Sequence, residues 1–196
     1  MAQYIKQLIK PVLRMEGLGG GILEKSQSTF SYFAFGSNLS SQRIRINNPS
    51  ARFRSIAKLS DYKLDFNYFS KRWQGAPATL VPHEGEHVWG VLWELDQEHL
   101  ETLDKQEGVP RVYKRMEVRV ELEDGRSEIA YTYYLVKPDE PDKRPSKVYL
   151  DVILTGAREH SLPSHYLARL EAIEHNGYEG DVNLGLDLEK INKIPE

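Results

Sequence analysis

The chain has 196 residues, of which 40% are hydrophobic and 28% are charged, a composition typical of a globular protein that can bury one sizeable core. The 26 basic and 29 acidic residues leave a formal net charge of −3, so no overall positive field would attract nucleic acid or an anionic membrane. The absence of cysteine excludes disulfides, thiolate metal sites and cysteine nucleophiles, and any chemistry must therefore use oxygen and nitrogen groups.

Residues 1–28 are predicted to form an N-terminal extension. Lys6, Lys10 and Arg14 lie among apolar residues at roughly helical spacing, which would fit a mitochondrial targeting helix, but the segment is not rich in serine and Pro11 interrupts it. The alternative is an ordinary flexible extension. No apolar run approaches the roughly 18 residues that cross a bilayer, and the start of the chain lacks a secretory signal. We therefore expect a cytoplasmic protein without a membrane partner.

From residue 30 onward, the sequence alternates between short strand-like runs and helical stretches. Strands are predicted at residues 30–35, 62–69, 78–81, 87–95, 113–122 and 128–136. Helices are predicted at residues 40–47, 96–105 with Asp96 as the N-cap, 146–155 and 164–174. Asp124-Gly125 between the last two strands indicates an antiparallel hairpin. These elements predict an α+β domain over residues 29–180 with a largely antiparallel sheet or barrel, followed by a polar tail at 181–196.

Residues 83–87 read HEGEH and match the zinc motif HExxH. That motif binds metal only when a helix places both histidines on one face. Pro82 precedes the segment and Gly85 interrupts it, so we interpret it as a hairpin turn with two solvated histidines. The sequence therefore predicts no metal site here.

The segment FAFGSNL, residues 33–39, indicates a binding loop. An apolar strand stops at Gly36-Ser37-Asn38 and is followed by a polar helix, which leaves backbone N–H groups able to hold a carboxylate or an oxyanion. An ordinary strand-to-helix turn would have the same local pattern, so this segment alone does not decide the function.

Glu107, in LDKQEGV at residues 103–109, is the candidate general base. It is expected in the last turn of the helix that begins near Asp96, at the unfavourable end of the helix dipole, and Tyr113 would partly desolvate it. Both effects would raise its pKa toward the range of a general base. The alternative is a solvated surface glutamate. No GxSxG elbow is present, and nothing supports a Ser/His/Asp hydrolase.

Together these segments resemble the gamma-glutamylcyclotransferase family over about residues 30–180. The resemblance is carried, in order and at similar separations, by FAFGSNL (33–39), NPSARF (48–53), LSDYKLDF (59–66), EHVWGVLWEL (86–95), LDKQEGV (103–109), SKVYLDVILTGAREHSLPSHY (146–166) and LEAIEHNGYEG (170–180). It implies a homodimeric enzyme with a mixed sheet closing toward a barrel and surrounding helices. The implied reaction converts gamma-glutamyl amino acids to 5-oxoproline and a free amino acid, without metal or cofactor.

The resemblance also implies site residues. In this reaction the α-amine of the substrate attacks its own γ-carbonyl, so the enzyme needs a base, a folded substrate pose and oxyanion donors rather than a nucleophile. Glu107 would be the base and acid, and Tyr149 would hold the substrate carboxylate. Tyr113 and Tyr134 are further candidates, although tyrosines on alternating strands are more often wall or core. The gamma-glutamyl pocket would be lined by Tyr32, Phe33, Ala34, Phe35, Gly36, Ser37 and Asn38.

One position departs from the family pattern, because Phe35 stands where the family loop usually has tyrosine. The lost hydroxyl removes one potential hydrogen bond, and this motivates two alternatives. One is a relative that acts on glutathione or gamma-glutamyl amines. The other is a catalytically weak module that binds gamma-glutamyl ligands or a protein partner.

Overall fold

The computed structural model describes residues 28–136 and 143–182, so the predicted extension at 1–28 and the tail at 181–196 lie almost wholly outside the described residues. The strands are β1 (Thr29–Ala34), β2 (Arg52–Asp65), β3 (Thr79–Asp96), β4 (Tyr113–Leu122) and β5 (Ser127–Leu135). The α-helices are α1 (Ser41–Arg45), α2 (Leu100–Glu107), α3 (Lys147–Glu159) and α4 (Ser164–Glu171). Short 3₁₀ turns at Ser37–Leu39 and Gln97–His99 precede α1 and α2.

The five strands form a closed barrel in the order β1-β3-β2-β4-β5. All neighbours pair antiparallel except β1 and β5, which pair parallel where Tyr32 lies opposite Tyr131. The buried hydroxyl of Thr132 strengthens this closure by donating to the carbonyl oxygen of Phe33 at 2.9 Å. The expected α+β fold, with a mixed and largely antiparallel sheet closing into a barrel, is confirmed.

The hairpin of β4 and β5 follows the predicted alternation. In β4 the even-numbered residues point mainly inward and the odd-numbered ones mainly outward after Tyr113, and Gly125 in the turn has φ of +80°. A left-handed residue in a hairpin turn favours glycine because a side chain at positive φ is strained against its own backbone. The hairpin prediction at Asp124-Gly125 is confirmed.

The predicted hairpin turn around Gly85 is wrong, because residues 79–96 form one continuous strand. Ser60 pairs with His87 and Tyr62 pairs with Pro82, so a single residue of β2, Asp61, faces residues 83–86 of β3. This is a bulge, in which the excess residues leave the ladder without reversing the strand. Asp61 has φ of +63°, and its carboxylate accepts a hydrogen bond from the Gly85 N–H at 3.0 Å. The HEGEH segment therefore lies in a strand bulge and not on a helix.

The helices begin close to their predicted starts, and their ends differ. Asp96 precedes the 3₁₀ turn as predicted, but its side chain makes no capping hydrogen bond and instead accepts from Arg52 at 3.1 Å. Ser146 caps α3 by accepting from the Tyr149 N–H at 3.2 Å, and α3 extends to residue 159 because its apolar face continues into the core. Among the described residues, no helix is long and apolar enough to cross a membrane.

The core fills the barrel and the space between the barrel and α3. Gly156 permits α3 to pack directly on the 3₁₀ turn after β1, since a Cβ at this position would lie 2.4 Å from the Leu39 carbonyl carbon and the Ser40 nitrogen. This contact fixes the loop that follows β1. The largest fully buried side chains are Trp93, Tyr133, Phe33, Leu39, Ile44, Leu92, Leu95, Leu103, Ile153 and Leu170.

Candidate active site

Two adjoining cavities lie where the loop after β1, the end of α2 and the start of α3 meet. The outer cavity has a volume of about 450 Å³ and the inner one about 30 Å³. Both are lined by Ser37, Glu107, Tyr113 and Tyr149. These shared residues mark the junction between the two cavities.

Glu107 is the last residue of α2, and Gly108 ends the helix in the left-handed conformation with φ of +71°. The Oε1 atom of Glu107 accepts a hydrogen bond from Asn38 Nδ2 at 2.9 Å. Burial raises the pKa of Glu107, while the charge of Arg43 and the hydrogen bond from Asn38 lower it. The pKa shift is in the predicted direction, and desolvation is its largest cause.

Asn38 links the loop to the carboxylate. Its Nδ2 also donates to the Tyr32 hydroxyl at 2.9 Å, and its Oδ1 accepts from Gln106 Nε2 at 2.9 Å. The side-chain amide is thus fixed on both ends, which determines its orientation. This arrangement holds the Glu107 carboxylate in one position relative to β1.

Tyr149 and Tyr113 flank the loop from the other side and meet at Ala78. The Tyr149 hydroxyl accepts from the Ala78 N–H at 2.9 Å, and the Tyr113 hydroxyl donates to the Ala78 carbonyl at 2.8 Å. Burial raises the pKa of Tyr149 to about 12 and that of Tyr113 well above its usual value, so both hydroxyls stay protonated near neutral pH. A Cβ at Gly36 would lie 3.0 Å from the Tyr149 hydroxyl oxygen, which explains the glycine.

The loop itself offers backbone donors. The first backbone hydrogen bonds of the 3₁₀ turn are donated by Leu39 to the Gly36 carbonyl at 2.9 Å and by Ser40 to the Ser37 carbonyl at 3.1 Å. The N–H groups of Ser37 and Asn38 therefore have no partner within the turn, as is usual at the start of a helix. Ser37 borders both cavities.

Not every predicted residue lines a cavity. Phe35 lines the inner one, whereas Phe33 and Ala34 are fully buried and are absent from both linings. Tyr134 is also absent, and its neighbour Tyr133 lines the inner cavity and donates its hydroxyl to Asp104 Oδ1 at 2.7 Å. Successive residues of a strand face opposite sides, so the two tyrosines cannot both face the site.

Arg43 is a cavity residue that the sequence analysis missed. Only 4% of it is exposed, it lines the outer cavity, and its guanidinium carbon lies 6.0 Å from the centroid of the Trp73 ring. Its Nε has no hydrogen-bond partner among the described residues. An arginine in a short polar helix gives no local sign of burial, so the sequence alone offered no signal for it.

One group of side chains in the described residues has the spacing of metal ligands. Among residues 28–136 and 143–182, Asp96, Glu98 and His99 are the group whose ligand atoms lie within 4.8 Å of one another. Asp96 is already paired with Arg52, and His99 Nδ1 lies 2.7 Å from Ser50 Oγ. None of the three lines the two cavities.

A half-buried carboxylate of raised pKa, fixed by an amide and facing a polar loop, is typical of enzymes that use acid–base chemistry, and here it lies on a small closed barrel. Comparison with known proteins makes this specific. Residues 87–170 match the model of the AIG2-like family. The chain is 44% identical over 160 residues to the gamma-glutamylcyclotransferase of Mus musculus, covering 79% of this chain and 84% of the relative.

Two further relatives agree. The gamma-glutamylcyclotransferase of Homo sapiens is 42% identical over 162 residues, covering 80% of this chain and 85% of the relative. A solved structure described as a gamma-glutamyl cyclotransferase superposes with a TM-score of 0.77 at 38% identity, covering 84% of this chain and 96% of that one. The chain belongs to the gamma-glutamylcyclotransferase family, as the sequence motifs predict.

Proposed function

We propose that the protein is a gamma-glutamylcyclotransferase that converts gamma-glutamyl amino acids to 5-oxoproline and a free amino acid. The observation that carries this proposal is the position of Glu107. It is a desolvated carboxylate, held by Asn38 at the junction of a small inner cavity and a larger outer one. The gamma-glutamyl group would fold at this junction and reach into the inner cavity, whose volume of about 30 Å³ is too small to hold the whole group, and the leaving group would lie in the outer cavity.

Glu107 acts as both base and acid in this reaction. It accepts a proton from the α-ammonium, and the freed amine attacks the γ-carbonyl carbon. The C–N bond of the amide then breaks while the protonated carboxyl donates to the departing nitrogen. In all, two protons leave the attacking nitrogen and two reach the leaving one, so Glu107 relays them in turn and the total charge is unchanged. Because the pKa of Glu107 is raised, it lies closer to the pKa values of the attacking and leaving amines with which Glu107 exchanges protons.

The remaining polar groups hold the substrate. The backbone N–H groups at Gly36 and Ser37 are the proposed oxyanion donors, since fixed donors aimed at developing charge lower the barrier. The protonated hydroxyl of Tyr149 is the proposed contact for the substrate carboxylate, with Tyr113 beside it. Tyr32 acts through Asn38, which it orients.

Release of 5-oxoproline from a gamma-glutamyl dipeptide by the purified protein tests the proposal. Glu107→Gln keeps the size of the side chain and its ability to accept from Asn38, and it removes the base. We expect kcat to fall at least about 10²-fold, because this is the usual contribution of general acid–base catalysis. Wild-type turnover in that variant would overturn the assignment of Glu107, and no 5-oxoproline from the native protein would overturn the function.

The lack of a tyrosine at position 35 favours a second candidate, a catalytically weak protein that binds gamma-glutamyl ligands or a protein partner. Phe35 borders the inner cavity, so the missing hydroxyl would have faced the substrate. The partly desolvated carboxylate of Glu107 argues against this candidate, since a protein that only binds its ligand has no use for a base of raised pKa. A relative acting on glutathione or gamma-glutamyl amines would keep Glu107 and the loop and differ in the outer cavity.

The finer aspects of the biological setting are also proposals. The resemblance to a homodimeric family supports a homodimer, which sedimentation would detect. The net charge of −3 supports the absence of a nucleic-acid or anionic membrane partner. We propose a cytoplasmic enzyme of glutathione metabolism that needs no cofactor, because the substrate supplies its own nucleophile.

A further inference from the structure

The two cavities differ in charge. The lining of the inner cavity, over the described residues, contains aromatic, small and polar side chains and the carboxylate of Glu107. The outer cavity adds three aromatic side chains, Tyr68, Phe69 and Trp73. It also adds the basic side chains of Arg43, Lys71, Arg72 and Lys105.

Arg43 is the buried member of this basic set. It is only 4% exposed, whereas Lys71, Arg72 and Lys105 are exposed. Helix α1 places its guanidinium next to Trp73, which in turn packs edge-on against Tyr149 with ring centroids 4.6 Å apart. The Trp73 ring therefore lies between the guanidinium and Tyr149, which borders both cavities.

The guanidinium of Arg43 is also under-satisfied. Its Nε is buried without a hydrogen-bond partner among the described residues, and burying a polar donor without a partner costs free energy. Burial and the nearby charge of Arg72 lower the pKa of Arg43, while Glu107 opposes this effect. An anionic ligand in the outer cavity would pair with the guanidinium of Arg43 and compensate for part of its desolvation.

We propose that Arg43 binds the carboxylate of the leaving amino acid and thereby makes the enzyme select gamma-glutamyl amino acids over gamma-glutamyl amines. This inference rests on the proposed function. The nitrogen protonated by Glu107 is bonded to the α-carbon that carries this carboxylate, so the carboxylate must lie close to Glu107 and on the outer side of it. Arg43 lies in the outer lining and within electrostatic reach of Glu107. A planar guanidinium matches a carboxylate through two parallel hydrogen bonds.

A matched pair of substrates tests the proposal. Gamma-glutamylalanine and the ethylamide of γ-glutamate differ only by the carboxylate of the leaving group. We expect the native protein to favour the dipeptide in kcat/KM by about tenfold or more, since charge-assisted hydrogen bonds are the strong ones. Arg43→Gln should remove most of this preference by lowering kcat/KM for the dipeptide far more than for the ethylamide, which responds only to the loss of the Arg43 charge near Glu107.

Arg45→Gln is the control variant. It removes the same charge from the same helix, but Arg45 lies outside both cavities, and glutamine can still donate to the Ala51 carbonyl that Arg45 Nε contacts at 3.1 Å. Its preference for the dipeptide should equal that of the native protein. Arg43→Lys keeps the charge without the planar pair of donors, so its preference should lie between those of the native protein and Arg43→Gln. This variant carries the test if Arg43→Gln fails to fold.

Three outcomes would overturn the proposal. An equal loss on both substrates would mean that Arg43 holds the α-carboxylate or the position of Glu107. An unchanged preference in Arg43→Gln, or in Arg43→Lys where only that variant folds, would mean that Arg43 does not contact the leaving group. A native protein that turns over both substrates without preference would overturn the selectivity alone, whereas one that releases no 5-oxoproline from either would overturn the proposed function itself.

Discussion

Glu107 is half-buried, and the desolvation of its carboxylate reduces folding stability. Because its pKa is raised in the folded state, the folded protein binds more protons than the unfolded chain above the ordinary glutamate pKa of 4.5. The stability from this group is present below that value and is lost as the pH rises through the raised pKa. Glu107→Gln should therefore increase the Tm relative to the native protein at pH 8, with a gain that shrinks toward pH 4.

Thermal melts of both proteins across this pH range measure the effect. Glu101→Gln, at an exposed position in the first turn of the same helix, serves as the control for the loss of one carboxylate and should change the Tm little, as is usual for surface substitutions. A Glu107→Gln protein that is less stable than the native one at pH 8 would contradict the desolvation argument.

Phe35 leaves the inner cavity without the hydroxyl that a tyrosine would bring, and a substitution tests whether the reaction needs that hydroxyl. Phe35→Tyr adds one oxygen at a residue that is 6% exposed and lines this cavity. If backbone donors and Tyr149 suffice, kcat/KM should change by no more than about tenfold, since one neutral hydrogen bond is worth about 1 kcal/mol. Steady-state kinetics of both proteins on one dipeptide measure this. Activity found only in the tyrosine variant would instead indicate a lapsed enzyme.

At the level of single residues, the sequence predicts those parts of the candidate site that have local signals. Glu107 is recognisable from the end of its helix, and Asn38 from the strand that stops before it. Tyr133 is missed in favour of Tyr134, because the choice between adjacent strand residues depends on which face the barrel turns inward. Arg43 is missed because its burial depends on Trp73, which is distant in the sequence.

Among the elements, α3 positions the 3₁₀ turn after β1, Ser37–Leu39, through one glycine. Gly156→Ala would bring a Cβ within 2.4 Å of the backbone at Leu39 and Ser40, so either α3 or the 3₁₀ turn must move. Overpacking of this kind typically destabilises a protein by about 1–3 kcal/mol. Because the turn carries Asn38, we also expect kcat to fall more than the loss of folded protein explains.

Gly125→Ala is the matched control for this prediction. It introduces strain at φ of +80° in the turn between β4 and β5, where a Cβ would meet nothing within 4 Å. It should lower the Tm and leave kcat unchanged. Denaturant unfolding combined with kcat per folded molecule separates the two variants, and an unchanged kcat in Gly156→Ala would show that α3 does not position the loop.

The elements themselves are largely predictable, with β2 and β3 as the exceptions. The strand predicted at 62–69 coincides only with the end of β2, which begins at Arg52 and ends at Asp65. Pro82 and Gly85 are ordinary turn residues, so their pattern predicts a reversal of the chain between two short strands. The structure uses them in a bulge because β2 is long enough to pair with the strand on both sides of it. That pairing joins residues that are between 14 positions apart, for Asp65 and Thr79, and 42 positions apart, for Arg52 and Glu94, and local patterns do not report it.

For the whole molecule, barrel closure depends on the parallel contact of β1 with β5. Thr132→Val keeps the shape of the side chain and removes the hydroxyl that donates to the Phe33 carbonyl. We expect a loss of about 1–3 kcal/mol in the free energy of unfolding, because a buried acceptor loses its donor. Thr132→Ser restores the donor and should recover part of this loss. Equal stability of valine variant and native protein in urea unfolding would contradict this role.

The class of the fold follows from the sequence, and the order of the strands does not. Alternating apolar residues identify β4 and its buried face, and Asp124-Gly125 identifies the hairpin that joins β4 to β5. Nothing in these patterns indicates that β3 lies between β1 and β2, since the periodicity of a strand does not show which strands pair with it. The closure of the sheet into a barrel was predicted by the resemblance to a known family. That resemblance rests on motifs in the loop after β1, around Glu107 and in α3.

The bulge of β3 gives the barrel a place where the chain can be extended or labelled. Residues 83–86 have no register partner in the β2–β3 ladder, a Cβ at Gly85 would meet nothing within 4 Å, and none of the four residues borders the two cavities beside Glu107. Lengthening a surface loop adds little closure entropy. A fluorophore or a short affinity peptide grafted at this position would therefore report on the enzyme or immobilise it, while the strand pairs on both sides keep the barrel in register.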